Sequence, residues 1–263
     1  MSTGLAEVRA DLEAECDSLD ALVAGLDTDG WEAPTPAEGW TVKDQISHLA
    51  SVDEWATLAA GDPEGFTTWL ATLPFSDPDA VVNAPVDAAR TRPGPDVLAW
   101  WRAARVGLAA VMDQIDPTAR APWFGPPMAM PTLLTARLME TWAHGEDVAE
   151  ALGVDRLPTA RLRHIAHLGV RTRTFAYASR GLPVPDTAVR VELTGPGGET
   201  WTWGEEAATA RVTGSVLDFC RVVTRRRAPS DTALVIEGDP ATEWLAIAQA
   251  FAGPAGKDPT ARK

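Results

Sequence analysis

Apolar residues recur every three to four positions in four long segments of the first half of the chain, and this period predicts amphipathic helices. The predicted helices cover residues 5–26, 41–60, 95–115 and 131–152. Thr41, followed three residues later by Asp44, resembles a capping box, and Gly153 stands where helices commonly end. Four such helices joined by loops of mixed length predict a four-helix bundle.

The connections between these helices are rich in Gly, Pro and Asp, so we expect irregular loops there. The longest connection, residues 61–94, contains five prolines and shows no sustained period. A connection of that length inside a compact domain is usually functional, as a lid or pocket wall, or is poorly ordered.

The pattern changes after Pro158, where helical and alternating segments follow one another. We expect helices at 161–179, 215–225 and 241–251, strands at 188–194, 200–203 and 210–213, and a buried strand at 232–237. The turn Gly195-Pro-Gly-Gly198 joins the first two strands as a hairpin and lacks the spacing of a phosphate-binding loop. These elements predict a helical domain at 1–154, a small α+β domain at 158–254 and a disordered tail at 255–263.

Composition narrows the class of protein. The 263 residues are 45% hydrophobic and 23% charged, as in a soluble globular protein, and the net charge of −14 argues against nucleic acid and anionic membranes as partners. Cys16 and Cys220 lie on apolar helical patterns, which predicts buried free thiols in a reducing compartment. With no signal-like start and no apolar run of about 20 residues, we expect a cytoplasmic location. Both a monomer and a homodimer are compatible with the sequence.

Candidate metal chemistry centres on the fourth helix. Glu140 and His144 are separated by one helical turn and share a face, and His48 lies in the second helix. If the two helices are neighbours, two imidazoles and one carboxylate meet at one divalent cation. Three protein ligands leave one position open, as catalytic zinc sites do.

Several other polar residues could serve the site, but each also has a simpler structural explanation. Asp44 and Asp147 are each about one turn from a histidine and could orient it, whereas helix capping is the stronger explanation for Asp44 and a solvated helix end is the alternative for Asp147. His164 and His167 flank no suitably spaced carboxylate, so we expect a structural or surface role. Arg225, Arg226 and Arg227 end a helix, where cations complement the macrodipole. No Ser or Cys lies in a recognisable nucleophile motif.

Two segments, GWTVKDQISH (residues 39–48) and ETWAHGED (residues 140–147), carry a family resemblance. The chain resembles the mycothiol-dependent maleylpyruvate isomerase family of the DinB/YfiT-like metalloprotein superfamily. Residues 216–227 and 248–254 are closest to an uncharacterised actinobacterial subgroup. The resemblance implies a DinB-like four-helix bundle followed by a small α+β domain similar to sterol carrier proteins.

The resemblance also implies a site. By motif match, His48, Glu140 and His144 would bind one divalent metal, usually zinc, and mycothiol would be the thiol cosubstrate. In these isomerases an arginine of the C-terminal domain helps to hold an anionic substrate or the thiol, and Arg225, Arg226 or Arg227 could do so here.

The leading hypothesis is therefore a metal-dependent thiol enzyme, in which a metal-bound thiolate adds to an electrophilic small molecule. Addition followed by elimination would isomerise a double bond, and retention of the adduct would make the protein an S-transferase. Two alternatives remain open: a hydrolase that uses metal-bound water, and a non-enzymatic protein that binds a metal and an apolar ligand. The first alternative predicts activity without thiol, and the second predicts binding without turnover.

Overall fold

The computed structural model describes residues 4–74, 77–253 and 255–256. The chain divides into two compact units, Met1–Arg156 and Leu157–Lys263. The helices of the first unit are α1 (Leu5–Val23), α2 (Thr28–Trp31), α3 (Val42–Gly61), α4 (Pro63–Leu70), α5 (Pro78–Ala89), α6 (Gly94–Met112) and α7 (Met130–Ala151). Two short antiparallel strands, β1 (Arg120–Ala121) and β2 (Met128–Ala129), precede α7. Among the described helices, none is long and apolar enough to cross a membrane.

The four long helices α1, α3, α6 and α7 form the predicted four-helix bundle. Their apolar faces meet in a core in which Leu19, Ile46, Leu49, Val97 and Trp101 are completely buried. Burial of one such side chain contributes on the order of 1.5–3 kcal/mol, so this core is the main source of stability for the bundle. The helical period along the sequence identified all four helices because each buries one continuous face.

The start of α3 is closed by the predicted capping box. The backbone N–H of Asp44 donates to the Thr41 hydroxyl, and the Asp44 carboxylate accepts from the backbone N–H of Thr41. At the end of α7, Gly153 adopts the positive φ of 66° that a residue with a side chain rarely accepts. The structure therefore confirms the predicted start of α3 and the predicted end of α7, the two helices that carry the candidate ligands.

The prediction of an irregular loop at 61–94 was wrong, because this stretch contains α4 and α5. Each helix begins with an Asp-Pro pair: Asp62 accepts from the N–H of Gly65, and Asp77 accepts from the N–H of Ala80. Proline suits the first turn of a helix, where its missing N–H would have no partner. Two of the five prolines, Pro63 and Pro78, instead mark helix starts, and Pro93 directly precedes α6. Pro74 lies in the connection between α4 and α5, and Pro85 lies inside α5.

The second unit combines helices with a four-stranded sheet. Its elements are α8 (Leu162–Arg171), α9 (Arg173–Ala178), β3 (Val189–Thr194), β4 (Thr200–Trp203), β5 (Ala210–Ser215), α10 (Val216–Val223), a 3-10 turn (Pro229–Asp231), β6 (Val235–Glu237) and α11 (Asp239–Ile247). The strand order is β4-β3-β5-β6, with β3 and β5 parallel and the other two pairs antiparallel. The predicted hairpin of β3 and β4 is confirmed, with Thr194 opposite Thr200.

Three predictions for this unit need correction. The single helix expected at 161–179 is two helices, because the backbone leaves the helical conformation at Thr172, where φ is −87° and ψ is 6°. The buried strand expected at 232–237 is the short edge strand β6, with Val235 56% exposed. The last helix ends at Ile247 rather than at 251. Most of the tail predicted to be disordered, 257–263, lies outside the described residues.

Candidate metal centre

Three ligand-type side chains on two neighbouring helices converge on one point in the first unit. His48 lies on α3, and Glu140 and His144 lie one turn apart on the same face of α7. Oε2 of Glu140 is 3.1 Å from Nε2 of His144 and 3.6 Å from Nε2 of His48. The three ligand atoms all lie within 4.8 Å of one another. The structure thus brings together the three residues that the sequence singled out.

This donor set fits a divalent cation. A tetrahedral zinc ion bound to nitrogen and oxygen at about 2.0–2.2 Å separates its ligand atoms by about 3.3 Å. The two distances to Glu140 Oε2, 3.1 and 3.6 Å, lie on either side of that separation. The side chains of His48 and His144 are 9% and 11% exposed, and that of Glu140 is 21% exposed. The ligand atoms are therefore shielded from solvent without being sealed from it.

Gln45, a residue that the sequence analysis did not single out, orients the imidazole of His144. The Thr35 hydroxyl donates to the Trp40 carbonyl at 2.9 Å, so its oxygen accepts from Nε2 of Gln45 at 2.8 Å. That contact leaves Oε1 of Gln45, an acceptor, facing Nδ1 of His144. His144 therefore carries its proton on Nδ1 and presents the lone pair of Nε2 to the site.

The chosen tautomer has an electrostatic consequence. Nε2 of a neutral His144 and the carboxylate oxygen of Glu140 are both acceptors, yet they lie 3.1 Å apart. Such an approach is favourable only with a proton or a metal cation between the two atoms. Nδ1 of His48 is buried and has no hydrogen-bond partner in the part of the chain that the structure describes. The Gln45 amide therefore orients the imidazole of His144 but not that of His48.

Electrostatics also favour an ionised carboxylate at the centre of the site. Burial by itself raises the pKa of Glu140, but when a proton lies between each imidazole and the carboxylate, the hydrogen bonds from His144 and His48 and the positive charges of both rings outweigh it. As a result the pKa of Glu140 lies well below its ordinary value. The carboxylate is negative at neutral pH and attracts a cation.

Trp40 covers one side of the two imidazoles. Its ring centroid is 5.3 Å from that of His48 and 6.1 Å from that of His144, and it lies nearly parallel to the His144 ring. The two imidazole centroids are 4.6 Å apart. The indole thus shields this side of the two imidazoles from water.

The predicted orienting carboxylates have other surroundings. Asp44 is buried, and its two oxygens accept from the Thr41 backbone N–H and from Nε of Arg90. Helix capping, one of the two alternatives for Asp44, therefore accounts for its position. Asp147 is buried on α7, and its orienting role stays a prediction, while Gln45 faces Nδ1 of His144.

The three arginines considered as anion ligands lie in the second unit, at the end of α10. Arg225 has a positive φ of 61°, and its side chain donates to the Ala248 carbonyl. The side chains of Arg226 and Arg227 donate to backbone carbonyls of Thr224 and Arg226. These contacts fit the helix-end explanation, and anion binding by these residues stays a prediction.

His164 is buried on α8, and His167 is exposed on the same helix and accepts a hydrogen bond from the indole N–H of Trp203. Burial and the neighbouring charge of Arg171 lower the pKa of His167, which favours the neutral ring that can accept this bond. The contact with Trp203 is structural, as the sequence led us to expect for His167.

A cluster of five aromatic rings lies elsewhere in the first unit. Phe66 is fully buried, and the four rings around it are only partly buried. The surrounding residues are Trp55 on α3, Trp69 on α4, and Trp123 and Phe124 after β1, with ring centroids 5.3–6.1 Å apart in the contacting pairs. Trp55 follows His48 by two helical turns and therefore lies on the same face of α3.

The chain is thus of the class of two-part proteins. A helical bundle gathers two histidines and a glutamate at a candidate metal centre, and a small α+β unit follows it. The family model of the mycothiol maleylpyruvate isomerase N-terminal domain matches residues 12–149, more than half of the chain. The chain belongs to this family. The family that the sequence motifs suggested is thereby confirmed.

The chain is similar to two mycobacterial relatives in sequence and to two solved structures in fold. Two uncharacterised proteins from strains of Mycobacterium tuberculosis are each 48% identical over 248 residues, which is 94% of this chain and 96% of each relative. Crystal structures of the mycothiol-dependent maleylpyruvate isomerase and of one of its mutants match 85% of this chain and 90% of theirs. Their TM-scores are 0.58 and 0.59, with 17% and 16% identity. At this identity the likeness shows the shared fold: a helical bundle followed by an α+β domain.

Proposed function

We propose that this protein is a divalent-metal-dependent enzyme that uses a mycothiol-type thiol to attack an electrophilic small molecule. The observation that carries the proposal is the convergence of His48, Glu140 and His144 on one point. Membership of a family defined by a mycothiol-dependent isomerase supports the thiol as cosubstrate. Zinc fits the donor set of two imidazoles and one carboxylate.

The chain's own cysteines do not offer an alternative nucleophile. Burial raises the pKa of the Cys16 thiol to about 12, and Cys220 is fully buried. At neutral pH the Cys16 thiol is therefore almost entirely protonated and unreactive, and the buried Cys220 thiol is out of reach of a substrate. The attacking sulfur therefore has to come from a small molecule.

The roles of the site residues follow from their positions. His48, Glu140 and His144 would hold the cation, which when bound lowers the pKa of a coordinating thiol. Gln45 keeps the Nε2 lone pair of His144 directed at the site, and Trp40 limits water access from one side. The greater exposure of Glu140 indicates the side from which thiol and substrate approach.

Two outcomes of the attack are chemically possible. The sulfur of the thiol forms a bond to the electron-poor carbon of an activated double bond. The π electron pair of the double bond moves to the activating group. Expulsion of the thiol after rotation about the new single bond gives an isomer and returns the cosubstrate. Protonation of the adduct gives a thioether, which is the product of an S-transferase.

The direct test is calorimetric titration of mycothiol into the zinc-loaded protein. We expect saturable binding in the wild type and none in His144→Ala. Glu150→Ala, on the exposed end of α7, serves as the matched control and should bind as the wild type does. A zinc-loaded wild type that ignores the thiol would contradict the proposal.

A second candidate is favoured by the aromatic cluster around Phe66. The partly exposed indole rings of Trp55, Trp69 and Trp123 suit an apolar ligand, and Trp55 lies on the His48 face of α3, so the protein could carry such a ligand without converting it. This candidate predicts that ligand binding survives His48→Ala and that no product forms with or without thiol. Turnover without thiol would instead indicate hydrolysis by bound water.

A further inference from the structure

An ion pair in the bundle core joins the two helices that carry the candidate ligands. Nε of Arg137 on α7 donates to Oδ1 of Asp53 on α3 at 2.8 Å, and the two side chains are 1% and 3% exposed. The indole N–H of Trp101 on α6 donates to the other oxygen, Oδ2, at 3.1 Å. Three helices are thus joined through one buried carboxylate.

The ion pair lies close to the ligands along both helices. Asp53 follows His48 by five residues on α3, and Arg137 precedes Glu140 by three residues on α7. Because α3 and α7 run antiparallel at this contact, the ion pair and the contact of His48 with Glu140 lie side by side on the same helix pair. A displacement of one helix relative to the other would alter both contacts together.

Stability alone does not account for so buried an ion pair. Removing two charges from water costs as much as their attraction returns, and well-packed apolar replacements are often equally stable. The better-attested role of such groups is to select one register between helices. A slip of one residue moves a helix by about 1.5 Å along its axis, which a hydrogen bond of 2.8 Å does not tolerate.

We infer that Asp53, Arg137 and Trp101 are positioning residues that hold α3 against α7 in the register at which His48 faces Glu140. The part of the inference that concerns zinc affinity rests on the proposed function. The positioning itself is a property of the protein that can be measured without any metal.

The test variant is Asp53→Leu/Arg137→Met/Trp101→Phe, which replaces the three polar groups by apolar side chains. We expect a cooperative fold with an unfolding midpoint close to that of the wild type. We also expect a roughly 10- to 100-fold weaker zinc affinity, the range found when residues that support metal ligands are removed. The control is Asp20→Leu/Arg102→Met, an ion pair between α1 and α6, which carry no ligand, and its zinc affinity should be unchanged.

The metal-independent readout is the NOE between the rings of His48 and His144, whose centroids are 4.6 Å apart. Selective labelling is practical because the chain has four histidines. The NOE should be strong in the wild type and the control, and lost or weakened in the test variant. If the wild type binds no zinc, the proposed function fails while this NOE still decides the positioning role.

A folded test variant with the wild-type NOE and a zinc affinity within about threefold of the wild type would overturn the inference. If that variant does not fold, Asp53→Asn/Arg137→Met removes the ion pair between α3 and α7 and keeps an acceptor for the indole N–H of Trp101. We then expect a weaker NOE and a lower zinc affinity, and an unchanged NOE would overturn the inference.

Discussion

Gln45 is uncharged and is not itself a metal ligand, yet its side chain decides which nitrogen of His144 carries the proton. Thr35 fixes the orientation of the amide, and the Trp40 carbonyl fixes the Thr35 hydroxyl. Metal-bound imidazoles commonly depend on such an acceptor to hold one tautomer and one ring orientation. The sequence suggested the carboxylates of Asp44 and Asp147 for this orienting role, because it does not reveal the loop hydrogen bonds that direct Gln45.

Replacing Gln45 by leucine should weaken zinc binding without unfolding the bundle. The leucine has a similar volume but no acceptor for Nδ1 of His144, so the ring is free to adopt the other tautomer. We expect a zinc dissociation constant roughly 10- to 100-fold higher, measured by competition with a chromophoric chelator. Gln45→Glu restores an acceptor and should recover most of the affinity. Equal affinity in the wild type and Gln45→Leu would show that the amide does not orient the ring.

The thiol of Cys16 should be unreactive in the folded protein. Burial and the charge of Asp53 raise its pKa to about 12, so at pH 8 roughly one thiol in ten thousand is ionised. We expect mass spectrometry to find no iodoacetamide adduct on Cys16 in native protein and full labelling in denaturant. Rapid native labelling at this residue would place a protein thiolate within the bundle and reopen the choice of nucleophile.

At the scale of the helices, periodicity identified the four long helices of the bundle and missed α4 and α5, which lie between them. α1, α3, α6 and α7 each bury one continuous face, so their apolar residues repeat every three to four positions. α4 and α5 have 8 and 12 residues, and their Asp-Pro starts were interpreted as breaks. The ligand pair on α7 was predictable for the same reason as the helix, because spacing alone puts both side chains on one face.

The two explanations of Asp44 can be separated experimentally. Asp44→Ala removes one half of the capping box and the partner of Arg90, so we expect a loss of about 1–2 kcal/mol in the free energy of unfolding by urea. The zinc content should stay at the wild-type level, because no site atom contacts this carboxylate directly in the described structure. Asp87→Ala removes an exposed partner of the same arginine and should cost at most a few tenths of a kcal/mol. Loss of zinc from Asp44→Ala would favour the orienting role.

At the scale of the whole molecule, the sequence motifs indicated the family although the overall sequence identity to its solved structures is low. The solved isomerase structures share 16–17% identity with this chain, yet their folds superimpose with TM-scores of 0.58–0.59. Fold at this distance depends on the pattern of buried positions, which many sequences satisfy. Chemistry depends on a few atoms, and the three candidate ligand atoms meet within 4.8 Å. The short edge strand β6 and the break between α8 and α9 were not predictable, because β6 depends on pairing with β5 and the apolar period continues across Thr172, where the backbone leaves the helical conformation.

The central claim is that His48, Glu140 and His144 hold one divalent metal ion. The most direct measurement is the elemental analysis of protein purified without a metal-affinity tag, in the wild type, Glu140→Ala and the control Glu150→Ala. We predict about one zinc or other divalent ion per chain in the wild type and the control, and little in Glu140→Ala, since three ligands become two. A wild type without metal after zinc loading, or a Glu140→Ala variant that retains a full equivalent, would contradict this claim.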